Sequence, residues 1–258
     1  MDINKELKKY EKQGFNEYQL DQIERGLKKG IDISFYAKLE FHETQMACIR
    51  WALEDGFEES KIKLLLNPDF NYMQMQVILD SMKNGLSETQ IMMFANIKFN
   101  WEQMDQIQLG LQDNLDVSYY LNPQYNSYQM FEIRNGLKNG LTEEQIKIYA
   151  NPEFNDTQME QIRVGLKKGL KIDKVQIYAN SKFNFRQMAE IRIGLEKGLS
   201  KEQVSLYAKT KFDYKQMDVI RKGLENKIDE SFYINPNLKA DEIINLCNYL
   251  MARKNAGL

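Results

Sequence analysis

The chain has 258 residues, 28% of them charged, and a formal net charge of −2. That balance excludes the strongly basic composition of a general nucleic-acid binder, and four prolines are too few for a disordered or linker-rich chain. No apolar run reaches membrane-spanning length, and the N-terminal MDINKELKKYEKQG lacks the apolar core of a secretory signal, so a cytoplasmic protein is expected.

In chain order, the first feature is a partial one. LKKYEKQGF aligns with the later IKIYANPEF, so residues 1–14 read as an N-terminal capping half-unit carrying Leu7 and Tyr10. A repeat then starts. Phe15, Phe41, Phe70, Phe99, Tyr125, Phe154, Phe183 and Phe212 each precede an NxxQM-like string, with Leu238 as a degenerate ninth marker, and the spacings are only 26 or 29 residues. Eight units therefore tile residues 15–237 with no visible domain boundary, and residues 238–258 read as a C-terminal capping helix.

Each unit reads as two helices. In the sixth, Asn155 and Gln158 have the spacing of a capping box, and Phe154 and Met159 that of a hydrophobic staple. Met159, Ile162 and Leu166 form one apolar stripe. Gly169 stands where a left-handed residue ends a helix, with Leu170 as its apolar partner. The second helix has its own boxes, Ser87 with Gln90, Thr142 with Gln145 and Ser200 with Gln203. Pro68, Pro123, Pro152 and Pro236 fall after it, where they interrupt nothing. The short units replace it with Asp-x-Ser-aromatic-Tyr, capped by Asp32, Asp116 and Asp229. The last helix keeps Ile243, Leu246 and Leu250 but places Cys247 where arginine stands elsewhere and Tyr249 where glycine does.

One mid-helix position is always small: Gly26, Gly110, Gly136, Gly165, Gly194 and Gly223, with Ala52 and Ser81. Glycine inside a helix costs about 1 kcal/mol relative to alanine, so a close approach by a neighbouring helix is expected to offset it. Gly165→Leu should then destabilise far more than Lys167→Leu. The expected fold is all-α, an α-solenoid (a right-handed αα superhelix) in which each unit buries its stripe on the next. Layers roughly 8–10 Å apart would make a rod or arc on the order of 70–80 Å.

The string FNxxQMxxIRxGLxxGLxxxQVxxYANPxF resembles a helical repeat of about 29 residues in proteins of gut Firmicutes, notably large multidomain proteins of mobile elements and phages. The resemblance covers essentially the whole chain. It implies a helical array in a bacterial or phage setting, and it brings no catalytic residue.

Catalytic and metal-binding patterns are absent from the sequence. His42, the single histidine, occupies an N-cap position, and Cys48 and Cys247 stand far apart as expected core thiols. No zinc spacing, P-loop or nucleophile elbow occurs. We therefore expect no enzyme activity, no metal and no cofactor.

Two surface features are candidates for binding. Arg50, Arg134, Arg163, Arg192 and Arg221 share one position at the border of the apolar stripe, with Glu24, Leu79 and Gln108 in the other units. Each guanidinium could bond carbonyls at the YANP corner of the adjacent unit, or the set could form a line of anion sites for an acidic peptide or a nucleic-acid backbone. Tyr72, Trp101, Phe185 and Tyr214 occupy the second residue after the marker, where Ser127 and Asp156 stand in the fifth and sixth units. They either pack on the next unit or form an exposed aromatic surface of the kind found at binding hot spots. Three functions follow: a non-enzymatic monomeric scaffold for a protein or extended peptide, a nucleic-acid binder through the arginines, or end-to-end self-assembly. The first takes precedence.

Overall fold

A computed structural model of the chain describes residues 2–255 apart from 230, 232 and 236. Pro236, and the Phe232 of the third short-unit motif, lie outside the described residues. Those described form helices and no strand. The described residues form two compact units that meet in sequence between Ser127 and Tyr128, so a division falls inside the fifth repeat although the pattern runs on unbroken.

The first compact unit contains α1 (Ile3–Gln13), α2 (Glu17–Lys29), α3 (Glu43–Glu54), α4 (Glu59–Ile62), α5 (Tyr72–Lys83), α6 (Glu88–Met92) and α7 (Trp101–Gln112). Here α1 packs on α2, α2 on α3, α3 on α5 and α5 on α7. The second contains α8 (Ser127–Lys138, whose first residue is the last of the first compact unit), α9 (Glu143–Lys147), α10 (Asp156–Lys167), α11 (Ile172–Val175), α12 (Phe185–Glu196), α13 (Lys201–Tyr207), α14 (Tyr214–Glu225) and α15 (Ala240–Asn255). In it α10 packs on α12, α12 on α14 and α14 on α15. Long helices thus pack on their sequential neighbours.

The first helix of each repeat starts where its caps dictate. Asn155 accepts from the Gln158 N–H while Asn155 N–H donates to Gln158 Oε1, both at 2.9 Å. His42 caps α3 in the same manner, its N–H donating to Gln45 Oε1 at 2.7 Å. The helices end at a left-handed residue fifteen after the marker: Gly169 has φ 86°, while Asn114 and Lys227 hold the same conformation without being glycine. Leu170 N–H then bonds back to Gly165 O at 3.0 Å.

The second helix is shorter than its pattern suggests. In the long repeats it is one or two turns, and in the first and fourth repeats only the 3₁₀ turns Ile33–Phe35 and Val117–Tyr119. About a dozen residues separate the left-handed cap from the next marker, and at 1.5 Å rise per residue a helix using all of them would carry the chain past its return point. What matters in this segment is one buried side chain: Tyr36, Tyr120, Tyr149, Tyr178, Tyr207 and Tyr233 are fully buried.

These tyrosines explain the small residues. A Cβ on Gly165 would lie 2.0 Å from Tyr178 Oη, and on Gly26 1.9 Å from Tyr36 Oη. The close approach therefore comes from the repeat's own second segment, not primarily from a neighbouring helix; the next helix contributes Arg192 Cδ at 3.3 Å. In five of the six the hydroxyl passes over the glycine to donate to the carbonyl four residues earlier, as Tyr36 to Gln22 O at 3.1 Å and Tyr207 to Glu190 O at 3.3 Å, while Tyr233 donates to Ile228 O at 3.3 Å. Where the small residue is Ala52 or Ser81, the buried partner position holds Leu65 or Phe94, which lack a hydroxyl. Ser81 Oγ itself then donates to Val77 O at 2.6 Å.

The repeats are linked by the glutamine of the QM string. Its oxygen closes the capping box and its Nε2 donates to the carbonyl of the next marker aromatic. In the first compact unit Gln19 reaches Phe41 O (2.8 Å), Gln45 Phe70 O (2.6 Å) and Gln74 Phe99 O (2.7 Å). In the second, Gln158 reaches Phe183 O (2.6 Å), Gln187 Phe212 O (2.7 Å) and Gln216 Leu238 O (2.6 Å). In α15 this position holds Glu242, which accepts the Lys239 N–H at 2.6 Å and has no amide to donate onward. At the other end Tyr10 of α1 meets Phe15 edge-to-face at 5.4 Å.

Candidate interaction surface

The stripe-border arginines are drawn inward. Arg50, Arg163 and Arg221 are buried and Arg192 and Arg134 half-buried. For Arg50, Arg163, Arg192 and Arg221 the partners are side chains and not the corner carbonyls, which accept from the ladder glutamines. In these four Nε instead reaches back to the side chain just before the buried isoleucine of the preceding repeat. Arg50 donates to Gln22 Oε1 (3.2 Å), Arg163 to Glu132 (2.6 Å), Arg192 to Gln161 Oε1 (3.2 Å) and Arg221 to Glu190 (2.9 Å). A glutamate one turn on supplies a further carboxylate to three of them, Glu54 to Arg50, Glu196 to Arg192 and Glu225 to Arg221. Arg163 has Lys167 there, and Glu132 is the carboxylate it bonds. Arg134 lies over the Phe131 ring at 5.6 Å.

The electrostatics follow from burial. Desolvation pushes the carboxyls of Glu132 and Glu190 above the usual carboxylate range, against the pull of Arg163 and Arg221. At Glu54 burial also pushes up, but Lys29 and Arg50 together outweigh it and hold the group below its ordinary value. Cys48 is buried, accepts from Gln76 Nε2 at 3.1 Å, and has its thiol pushed up to about 11, mainly by burial.

The signal for this pairing was in the sequence but crosses repeats. Gln22, Glu132, Gln161 and Glu190 precede Arg50, Arg163, Arg192 and Arg221 by one repeat. Where that earlier side chain is Cys48, Val77 or Val219, the later one is Leu79, Gln108 or Cys247, and all three are buried. Polar meets polar and, with the exception of Gln108, apolar meets apolar.

The first-turn aromatics are placed differently. Tyr72, Trp101 and Phe185 remain 38%, 38% and 40% exposed, and Tyr214 is half-buried. Tyr72 and Trp101 open the packed pair α5 and α7; Phe185 and Tyr214 open the packed pair α12 and α14. Arg186 lies over both rings of the second pair, its Cζ 5.6 Å from the Phe185 centroid and 4.9 Å from that of Tyr214. The pattern overlooked Tyr18 and Tyr128, one residue further along, which are more open still at 62% and 67%. Among the described residues no helix is long and apolar enough to cross a membrane, and no cluster of three or more His, Cys, Asp or Glu could hold a metal ion.

No family model, no curated protein and no solved structure matches this chain.

Proposed function

We propose that the protein is a non-enzymatic scaffold of helical repeats of the α-solenoid kind that binds a protein or extended peptide along the edges formed, within each compact unit, by the first turns of its long helices. One observation carries this reading. The scaffold position held by the exposed Tyr72, Trp101 and Phe185 is Glu17, Glu43, Ser127 or Asp156 in other repeats. Packing needs no aromatic there, so the aromatics serve something outside the fold. Aromatic side chains are the residues that most often dominate binding energy at interfaces. The arginine ladder does not favour a nucleic-acid track, since four of its members are engaged with glutamates and glutamines of the array. Glu242 likewise favours a monomer over end-to-end assembly, because the donor that links one repeat to the next is missing in α15.

The test is selection of a displayed random-peptide library on the intact protein, with affinities of the selected peptides measured by fluorescence anisotropy. Paired variants Tyr72→Ala with Trp101→Ala, and Phe185→Ala with Tyr214→Ala, should weaken the peptides that use each edge by about 10-fold or more, the scale of a hot-spot residue. Peptides that bind both paired variants as well as the parent would refute the aromatic edge.

A further inference from the structure

We infer that the seventh and eighth repeats carry a docking site for a short acidic peptide segment, built around Arg186; this deepens, and rests on, the scaffold reading above. The repeat supplies its own control, because the same three edge positions can be compared in all eight units. They are the residue before the marker and the second and third residues after it. Only the seventh and eighth units combine a cation, an aromatic and a cation: Lys182, Phe185 and Arg186, then Lys211, Tyr214 and Lys215. At the first of these positions other units have the acids Glu40, Asp69 and Glu153.

The fold brings the two sets together. Gln187, adjacent to Arg186, donates to both Thr210 O (3.4 Å) and Phe212 O (2.7 Å). Those two carbonyls bracket Lys211, so its backbone is fixed against the first turn of α12. The same arrangement holds Lys182, between Ser181 O and Phe183 O on Gln158. Arg186 is exposed, and its guanidinium lies over two rings, within the cation–π distance of about 6 Å. Among the described residues, the side chains of Lys182, Arg186, Lys211 and Lys215 have no protein hydrogen-bond acceptor or ion-pair partner. Nearby Asp213 is engaged in capping α14, where it accepts the Gln216 N–H at 2.8 Å. Lys215 and Tyr214 share a shallow groove with Glu190, Asp218 and Asp241, and Lys182 is held against the first turn of α10, which begins at Asp156, so the positive charge of the site centres on Arg186 and Lys211.

A planar guanidinium held by stacking keeps its donor edge free and oriented, which suits bidentate binding of a carboxylate. The contrast with the buried arginines is chemical: theirs are bonded by the array's own acids and amides, while Arg186 lacks such a group. A continuous phosphate backbone fits less well. The cations extend over two repeats only, and Glu153 occupies the matching corner of the repeat before them.

The experiment uses the full chain and a fluorescein-labelled octaglutamate peptide, read by anisotropy at low salt, with a twelve-residue oligothymidylate as competitor. Binding of octaglutamate is expected, weakened at least 10-fold by Arg186→Ala with Lys211→Ala, partly by Arg186→Lys, and not by Lys167→Ala. All these side chains are exposed, and unchanged circular dichroism would confirm folding. Absent binding, or equal weakening by Lys167→Ala, would overturn the site. Tighter binding of the oligonucleotide through the same residues would replace the acidic peptide by a phosphate partner. Should library peptides need the aromatics while octaglutamate fails to bind, the scaffold reading survives and this one falls.

Discussion

At the residue scale, the repeat is a set of matched pairs. Gly165 and Tyr178 are one. Gly165→Ala brings a methyl group to 2.0 Å from Tyr178 Oη, and overpacking of this kind costs about 1–3 kcal/mol. Adding Tyr178→Phe removes the clashing oxygen, as Ser81 with Phe94 already does. Thermal melts should therefore show the double variant to be more stable than Gly165→Ala alone; additive losses would contradict the pairing. Arg163 and Glu132 are another pair. Glu132→Ala strands a buried guanidinium, costing on the order of 3 kcal/mol, whereas Glu190→Ala leaves Arg221 with Glu225 and Asp218 and should cost clearly less in the same melts. Lys227 stands in a left-handed conformation, φ 54°, where a non-glycine residue bears roughly 1–2 kcal/mol of strain. Lys227→Gly is expected to raise the melting temperature. Acid should act on Glu54 with a definite sign. Its folded pKa is depressed, so it contributes stability above its ordinary value of 4.5 and loses it as pH falls through the lower folded value. Lys29→Met removes one cause of the depression and should flatten that part of the profile of melting temperature against pH.

At the element scale, the first helices were legible because their signals are local. The capping box, the left-handed terminus and the methionine–isoleucine stripe each lie within one helix, and a reader of the sequence can see both partners. The second helices were overread. A box and an apolar run promise a helix, but the number of residues between cap and marker limits it to a turn or two, and the buried tyrosine is what that turn delivers. The ladder glutamine was half-read. Its oxygen serves the local box, which is visible, while its amide reaches a carbonyl 22 to 25 residues on, which is not. Gln158→Glu keeps the first role and forfeits the second, since a carboxylate cannot donate. We expect it to destabilise the protein by about 1–3 kcal/mol, the cost of leaving a buried acceptor unsatisfied, while Asn155→Asp, which keeps the cap acceptor, should be close to neutral.

At the scale of the whole molecule, the proposed stacking of repeats makes stability approximately a sum of repeat and nearest-neighbour terms. A fragment starting at Tyr125, and so retaining the start of the fifth repeat with its cap, should be helical by circular dichroism and unfold cooperatively. An unfolded fragment would show that the second compact unit depends on the first. The sequence by itself determined the period, the caps, the buried stripe and the small mid-helix position, because each is written in residues a few places apart. Only the tertiary structure decided the fate of the arginines and aromatics. Both stand at the margin of the helix's apolar face, where helical geometry alone leaves burial open. For the arginines the deciding factor is what the preceding repeat presents: an amide or carboxylate draws Arg163 or Arg192 inward, whereas the side chains at the aromatic position meet no such group and Phe185 stays 40% exposed beside Arg186.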